Sequence, residues 1–356
     1  MGSPCYSSLL TDHDFVALSR TVLGLKNIKN IDPFYLITFL RSKYGFNQLL
    51  RQRELTIQFQ LTLERVKQIL VYEASVTFQK CIRNIFETYG QKLTCSNACY
   101  RSAEQTLLEF LGLQTWQPAL NSITKKTFSN FQSSGRLDAE YYQPKYDELF
   151  DHLSHFPSCF LGGKDGIVNI QKSIEPGSEA YQDSGIPFIR IADISKFGIT
   201  PPAVYLDCNA FSNKAPYPKK DTILLSKDGS VCIAYKLESD LDAITSGALL
   251  HLTVKNPDFL PDYLTLVLNS IVVRMQAERD AGGSIIQHWK PSEIEKVIIP
   301  QLPMGKQELL AEKVQESFAL RQESKRLLEL AKHAVEVAIE QGEEMALHLL
   351  EDEGDA

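Results

Sequence analysis

The chain has 356 residues, 44% apolar and 23% charged, the balance of an ordinary folded protein with room for about two domains. No run of 18 or more apolar residues occurs and no basic segment followed by an apolar core opens the chain, so neither a membrane-spanning helix nor a signal peptide is expected. The net charge of −7 argues against nucleic acid as a partner, but the charge is unevenly placed. Glu351, Asp352, Glu353 and Asp355 crowd the last seven residues, whereas Lys214–Lys236 sets five lysines against Asp221 and Asp228. Of the seven cysteines only Cys95 and Cys99 are close, with no second pair to complete a zinc site. Ordinary thiols in a reducing cytoplasm are the expectation.

In chain order, the apolar spacing of Phe78, Ile82, Ile85, Ala103, Leu107 and Leu111 predicts a long helix over about 76–112, made less regular by Gly90 and Thr94–Asn97. A polar stretch, Asn121–Gln132, leads to a boundary at Ser134-Gly135-Arg136. Tyr142, Tyr146, Leu149 and Phe150 predict a short helix within 137–155. From 160 to 256 short β-type runs alternate with turns: Gly166–Ile170, Pro187–Ile194, Val204–Leu206, Thr222–Leu225, Val231–Tyr235 and Leu249–Val254. Pro261–Ala281 is expected to be helical. A glycine loop at 282–284, a strand at Lys296–Ile299 and a proline turn follow. Lys306–Leu350 contains no proline and one glycine, and its seam of Leu327, Ala331, Ala334 and Ala338 steps by four, three and four.

These elements repeat. Tyr35–Gln79 lies over Tyr263–Gln307 at a constant shift of 228 residues, with eight identities in 45 positions: Tyr35/Tyr263, Leu36/Leu264, Leu40/Leu268, Ser42/Ser270, Gln48/Gln276, Arg51/Arg279, Ile57/Ile285 and Gln79/Gln307. At a shift of 227 the preceding segment also matches, with Gly2, Ser3, Cys5, Ser19, Leu23 and Leu25 on Gly229, Ser230, Cys232, Ser246, Leu250 and Leu252. A period this long means a duplicated domain rather than a solenoid. The fold class expected is α+β: β-rich modules joined to two long, coiled-coil-like helices pairing antiparallel, with a duplication of ~228 residues.

The chain resembles the DNA specificity subunit of type I restriction–modification systems. The residues that carry the resemblance are Arg136-Leu137-Asp138-Ala139-Glu140-Tyr141-Tyr142-Gln143-Pro144-Lys145-Tyr146, Gly185–Ile194, Leu225-Ser226-Lys227-Asp228-Gly229-Ser230, Gly283-Ser284-x-Ile286 and Ile298-Ile299-Pro300-x-Leu302-Pro303 with Gln307. The resemblance implies that each β-rich module is a target-recognition domain reading half of a split site on double-stranded DNA. It also implies that the paired helices bind methyltransferase subunits, that restriction subunits join indirectly, and that no cofactor is held. It divides the chain into 1–72, the C-terminal remnant of a first recognition domain; 73–135, the first long helix and linker; 136–305, a complete second recognition domain; and 306–356, the second long helix and acidic tail. The first domain is thus expected to lack its N-terminal half, and in it the proline turn has become Val71-Tyr72-Glu73-Ala74-Ser75. Half-site binding by one chain and self-association of two chains both stay open.

In such a module lysine and arginine would hold phosphates, and side chains at base edges would supply sequence discrimination. The candidates for phosphate are Lys196, Lys214, Lys219, Lys220, Lys227, Lys236 and Lys290. Those for positioning or base reading are Arg190, Tyr235, Ser284, Gln287 and His288. Each has a plainer alternative: Arg190 pairing with Asp193, His288 half-buried beside Trp289, and the lysines merely solvated. No Walker A sequence, methyltransferase Pro-Pro motif, Gly-x-Ser-x-Gly or His-Glu-x-x-His occurs, so an enzyme is not expected. The rival reading is a scaffold that binds methyltransferase subunits without reading DNA.

Overall fold

The computed structural model describes residues 7–8, 17, 22–52, 61–118, 123–283 and 287–354. Its helices begin with α1 (Pro33–Arg41), α2 (Lys43–Arg51), α3 (Leu63–Val66), α4 (Val76–Phe110), α5 (Phe128–Ser134) and α6 (Pro144–Leu153). They continue with α7 (Cys208–Phe211), α8 (Pro261–Asn269), α9 (Ile271–Asp280), α10 (Pro291–Ile294), α11 (Met304–Gln341) and α12 (Glu343–Gly354). The strands are β1 (Ser158–Phe160), β2 (Val168–Lys172), β3 (Ile186–Ile189), β4 (Ile194–Ser195), β5 (Gly198–Ile199) and β6 (Tyr205–Leu206), then β7 (Ile223–Ser226), β8 (Ala234–Lys236), β9 (Ile244–Thr245), β10 (Leu249–Val254) and β11 (Ile298–Pro300). The fold is mixed α and β, as expected. Among the described residues no helix is long and apolar enough to cross a membrane.

The chain packs as two units, Met1–Ala98 with Ser317–Ala356, and Cys99–Glu316. This grouping divides both long helices, α4 between Ala98 and Cys99 and α11 between Glu316 and Ser317.

In the first unit Asp32 caps α1, its Oδ1 accepting from the N–H of Phe34 at 2.8 Å, and Pro33 opens the helix where a missing N–H costs nothing. Ser42 ends α1 in an extended conformation and caps α2, so two short helices replace one longer one. Tyr35, Phe39, Phe78 and Ile82 pack with Ala334, Val335, Ala338 and Ala346 in one core. The alanines let the backbones of α4 and α11 approach closely. The predicted seam of Leu327, Ala331, Ala334 and Ala338 is buried throughout. On α4, Phe86 is buried and Ile85 only half-buried.

The two long helices run antiparallel in this unit. The Ser317 hydroxyl donates to the Ser96 carbonyl at 2.8 Å, and the Ser324 hydroxyl to that of Tyr89 at 3.1 Å. A shift of 228 turns Tyr89 into Ser317 and Ser96 into Ser324, so the two contacts exchange and the helix pairing is itself two-fold. Gly342, at φ +94°, ends α11 and starts α12 eight residues before the predicted end of a single helix.

In the second unit a four-stranded antiparallel sheet runs in the order β2-β10-β7-β8, and a three-stranded one runs β6-β3-β9 with β3 and β9 parallel. Small ladders join β4 to β5 and β1 to β11. Two apolar clusters fill the module, one around Ile189, Leu224, Leu237 and Leu249, the other around Ile186, Phe188, Leu206 and Ile244. The helical stretch predicted over Pro261–Ala281 breaks at Ser270, which plays the part of Ser42: each hydroxyl donates back three residues, to Phe39 and Val267, at 2.7 Å.

The duplication extends to the hydrogen bonds. Tyr35 donates to the carbonyl of Tyr72 at 2.8 Å, and Tyr263 to that of Pro300 at 2.7 Å. Gln48 closes a donor–acceptor pair on the backbone of Leu70, both bonds 2.8 Å; Gln276 does the same at Ile298, at 2.8 and 2.9 Å. Gln79 accepts from Asp32 N–H and donates to Ala74; Gln307 accepts from Leu260 N–H and donates to Leu302. Every residue and every backbone partner is offset by 228. Four of the identities seen in the sequence are therefore side chains that satisfy backbone groups at matching places in both copies. One more pair combines the two shifts, with donors offset by 228 and acceptors by 227: Asn269 donates to the Ala234 carbonyl, and Arg41 to that of Ser7. Ile57 and Ile285, and the matches of Gly2, Ser3, Cys5 and Ser19, involve positions outside the described residues.

Candidate nucleic-acid interface

Two loops 60 residues apart are locked together in the second unit. The first begins at Ser226, the buried end of β7. Its hydroxyl donates to the Ser230 carbonyl at 2.6 Å and accepts from Ile233 N–H at 2.9 Å, while its backbone carbonyl accepts from Cys232 N–H at 3.0 Å. This closes residues 227–232 into a tight loop. Gly229 takes φ +66°, and Cys232 takes φ +67° although it carries a side chain. The strand predicted over Val231–Tyr235 therefore starts only at Ala234. Cys232 Sγ donates to the Leu268 carbonyl, and burial pushes its thiol up to about 12, so it is a structural group.

The second loop follows α9. Gly282 and His288 exchange backbone hydrogen bonds of 3.1 and 2.7 Å. Gly229 N–H donates to Gln287 at 2.8 Å, and Trp289 N–H to Lys227 at 2.8 Å, which joins the second loop to the first. Side chains reinforce the junction: His288 Nδ1 lies 2.9 Å from Asp228 Oδ1, and Lys227 pairs with the same carboxylate. Beneath them Trp289 is 1% exposed, with an indole N–H that finds no partner among the described residues. A side chain on Gly229 or Gly282 would meet no atom within 4 Å, so both glycines present backbone to open space.

Of the sequence candidates, Lys227, Gln287, His288 and Lys290 meet at this junction. Gln287, His288 and Lys290 are exposed, and Lys290 lies 3.6 Å from Glu293. Ser284 lies outside the described residues. Lys214, Lys219 and Lys220 occupy a different loop, exposed: Lys214 stands over Phe211, Lys219 pairs with Asp240 at 3.0 Å, and Lys220 N–H donates to that carboxylate at 2.9 Å. These contacts, the backbone one first, hold the Asp240 carboxyl below the usual range.

The remaining candidates are engaged elsewhere. Arg190 donates its N–H to Asp193 at 2.9 Å and pairs with it at 3.4 Å, the plainer alternative noted for it. Lys196 reaches Glu104 on α4 at 2.6 Å and stands over the rings of Tyr100 and Phe197, so the β4–β5 hairpin is fastened to the helix. Tyr235 is half-buried on β8, its hydroxyl pKa raised chiefly by burial. Lys236 is 7% exposed and faces Asp262 at 3.1 Å, Glu238 at 3.2 Å and Asp221 at 3.6 Å. Burial opposes its charge, but these carboxylates outweigh it and keep its pKa above that of a free lysine. Lys236 therefore holds β8 to α8 rather than projecting from the module.

Sequence reasoning passed over Ser226, Asp228 and Trp289, which build the junction, and Arg136, which fastens it to the start of the module. Arg136 donates to the Asp280 carbonyl at 2.8 Å, lies 3.9 Å from Glu293 and pairs with Asp138. Its position in the opening Arg-Leu-Asp motif was the available signal. Among the described residues no group of three His, Cys, Asp or Glu side chains is gathered as a metal site.

Three solved structures resemble parts of the chain's course. A chain from a study of the assembly and conformational transition of the type I R-M system is 14% identical with a TM-score of 0.36, over 88% of this chain and 72% of its own. The HsdS subunit from Thermoanaerobacter tengcongensis is 15% identical with a TM-score of 0.35, over 87% and 70%. The type I restriction-modification S subunit from M. genitalium is 12% identical with a TM-score of 0.41, over 86% and 72%. No family model matches the sequence, and no curated protein matches it.

Proposed function

We propose that this chain is the DNA-specificity subunit of a type I restriction–modification complex, a non-catalytic cytoplasmic protein that directs methyltransferase and, indirectly, restriction subunits to a target. The observation that carries this reading is the repeated scaffold: two helical platforms, one in each unit, with the same side-chain anchors, and a helix pair in the first unit whose contacts exchange under the repeat. Such a scaffold suits a protein that presents equivalent sites to two copies of a partner. The β-rich module on the second platform would read one half-site.

Within that module the junction of Lys227, Gln287, His288 and Lys290 would contact DNA, with Lys214, Lys219 and Lys220 gripping phosphate alongside. Gln287 suits adenine and the lysines suit phosphate. The open backbone at Gly229 and Gly282 leaves room for close approach of the duplex. Arg190, Lys196, Tyr235 and Lys236 would act indirectly, by holding the module in shape.

The second reading, a scaffold that binds methyltransferase subunits without reading DNA, draws support from the carboxylates beside Lys219, Lys227 and Lys290. A gel shift of the chain with its methyltransferase subunit, on random duplex DNA followed by selection, separates the two. Specific, salt-sensitive binding that Lys227→Ala with Gln287→Ala abolishes is the expected result. A stable protein complex with no sequence preference would leave the scaffold reading.

A further inference from the structure

The two platforms differ at one backbone edge. In the second unit β11 is held from two sides. On one, Gln276 grips Ile298 and Tyr263 grips Pro300. On the other, β1 pairs antiparallel with it, Ser158 opposite Pro300, Cys159 opposite Ile299 and Phe160 opposite Ile298. Leu161 N–H donates to Val297, Gly162 N–H to Glu295, and Gln301 N–H to Pro157. The alternation of an antiparallel ladder thus turns residues 297, 299 and 301 toward β1.

Their counterparts in the first unit are Ile69, Val71 and Glu73. Gln48 and Tyr35 hold Leu70 and Tyr72 as Gln276 and Tyr263 hold Ile298 and Pro300, so the inner side is complete. Among the described residues nothing pairs with the outer side. The carbonyls of Ile69 and Val71 and the N–H groups of Val71 and Glu73 have no hydrogen-bond partner there. Leu70 is 79% exposed, whereas its counterpart Ile298 is half-buried. An edge with a free donor–acceptor row and an exposed apolar residue is a template for one more strand.

We infer that the edge formed by residues 69–73 is a docking site for an extended peptide strand of the kind that β1 supplies to β11, paired antiparallel in the register that β1 adopts there. The occupant is a short strand of the Phe156–Gly162 type. Its central amide faces Val71, and its last two N–H groups face the carbonyls of Ile69 and Lys67. A second copy of this chain is a poor donor, since its own strand of this type is already paired with β11. Recognition would come mainly from backbone hydrogen bonds, as in other cases of strand addition. The inference rests on the internal repeat and not on the DNA-reading role.

The test uses the full chain and a synthetic peptide of its residues 142–165, followed by calorimetry and residue-resolved hydrogen exchange. Saturable binding that slows exchange at the amides of Val71 and Glu73 is expected. The same peptide N-methylated at the Cys159 amide should bind about tenfold more weakly, since one backbone donor is lost and the protein itself is unchanged. Three results would overturn the inference: no saturable binding, slowed exchange only at 297–301 through exchange with β1, or a dimeric chain in which Val71 and Glu73 are protected before peptide is added.

Discussion

Residues 33–79 and 261–307 share their anchors and differ in what surrounds them. Tyr, Ser and two Gln side chains satisfy the same backbone groups in both. Around the second copy, though, stand features the first does not share. Asp262 replaces Phe34 and receives a buried lysine; Gln307 gains a third bond, to Asp258; and β1 covers the strand edge. A platform built on side-chain-to-backbone hydrogen bonds can thus carry different superstructures, because its internal bonds do not depend on what packs outside.

The largest expected effect comes from breaking the buried lysine contact. Lys236→Leu leaves Asp262 with its charge but without its cation, and should cost about 3–5 kcal/mol in urea unfolding. Adding Asp262→Phe, which imitates the first platform, should recover most of that loss. If the double variant is no better than the single one, the two platforms are not interchangeable at this point.

Next come the glutamines. Gln307→Leu leaves three backbone groups, one of them buried, without their partner and should cost about 3 kcal/mol; Gln79→Leu leaves two, one of them buried, and should cost about 2 kcal/mol. Equal losses would show that the additional bond to Asp258 contributes nothing.

A pH effect should come from a buried histidine of the second unit. His251, buried on β10 and 2.7 Å from the Thr245 hydroxyl, is pushed down to about 4 by desolvation. Its folded pKa lies below the unfolded value, so the unfolded chain binds the additional proton. Stability from this group is complete above about pH 6.5 and is lost as pH falls toward 4, by up to about 3 kcal/mol. The first platform has Gly24 at the matching place. Thermal melts from pH 7 to 5 should show the fall, and His251→Gln should flatten it.

The smallest effect tests the two-fold helix pairing. Ser317→Ala and Ser324→Ala should each cost about 1 kcal/mol, and by similar amounts, because they make exchanged contacts.

Much of the architecture was legible in the residue order. The long helices, the strand at Leu249–Val254 and the shift of 228 could all be read directly, since periodicity and identity are properties of the order itself. The breaks at Ser270 and Gly342 were less so, because a serine or glycine inside an apolar pattern interrupts a helix only when a cap or a packed partner rewards the interruption. The candidate site was legible only in part. Lysines 214 to 236 look alike as a list, yet Lys236 is inside and Lys214 outside, and nothing local distinguishes them. Asp228 and Trp289 were visible as neighbours of the candidates but were given no role, because their contacts come from a loop 60 residues away.

By itself, then, the sequence determined the α+β class, the duplication and the helix seams, since each depends on short-range spacing or on the repeat of like residues. Only the tertiary structure decided which identities are anchors, which cations are spent on buried carboxylates, and which backbone edge stays open. Those outcomes depend on burial and on contacts across hundreds of residues, where desolvation and hydrogen-bond satisfaction act on groups that the chain order keeps apart.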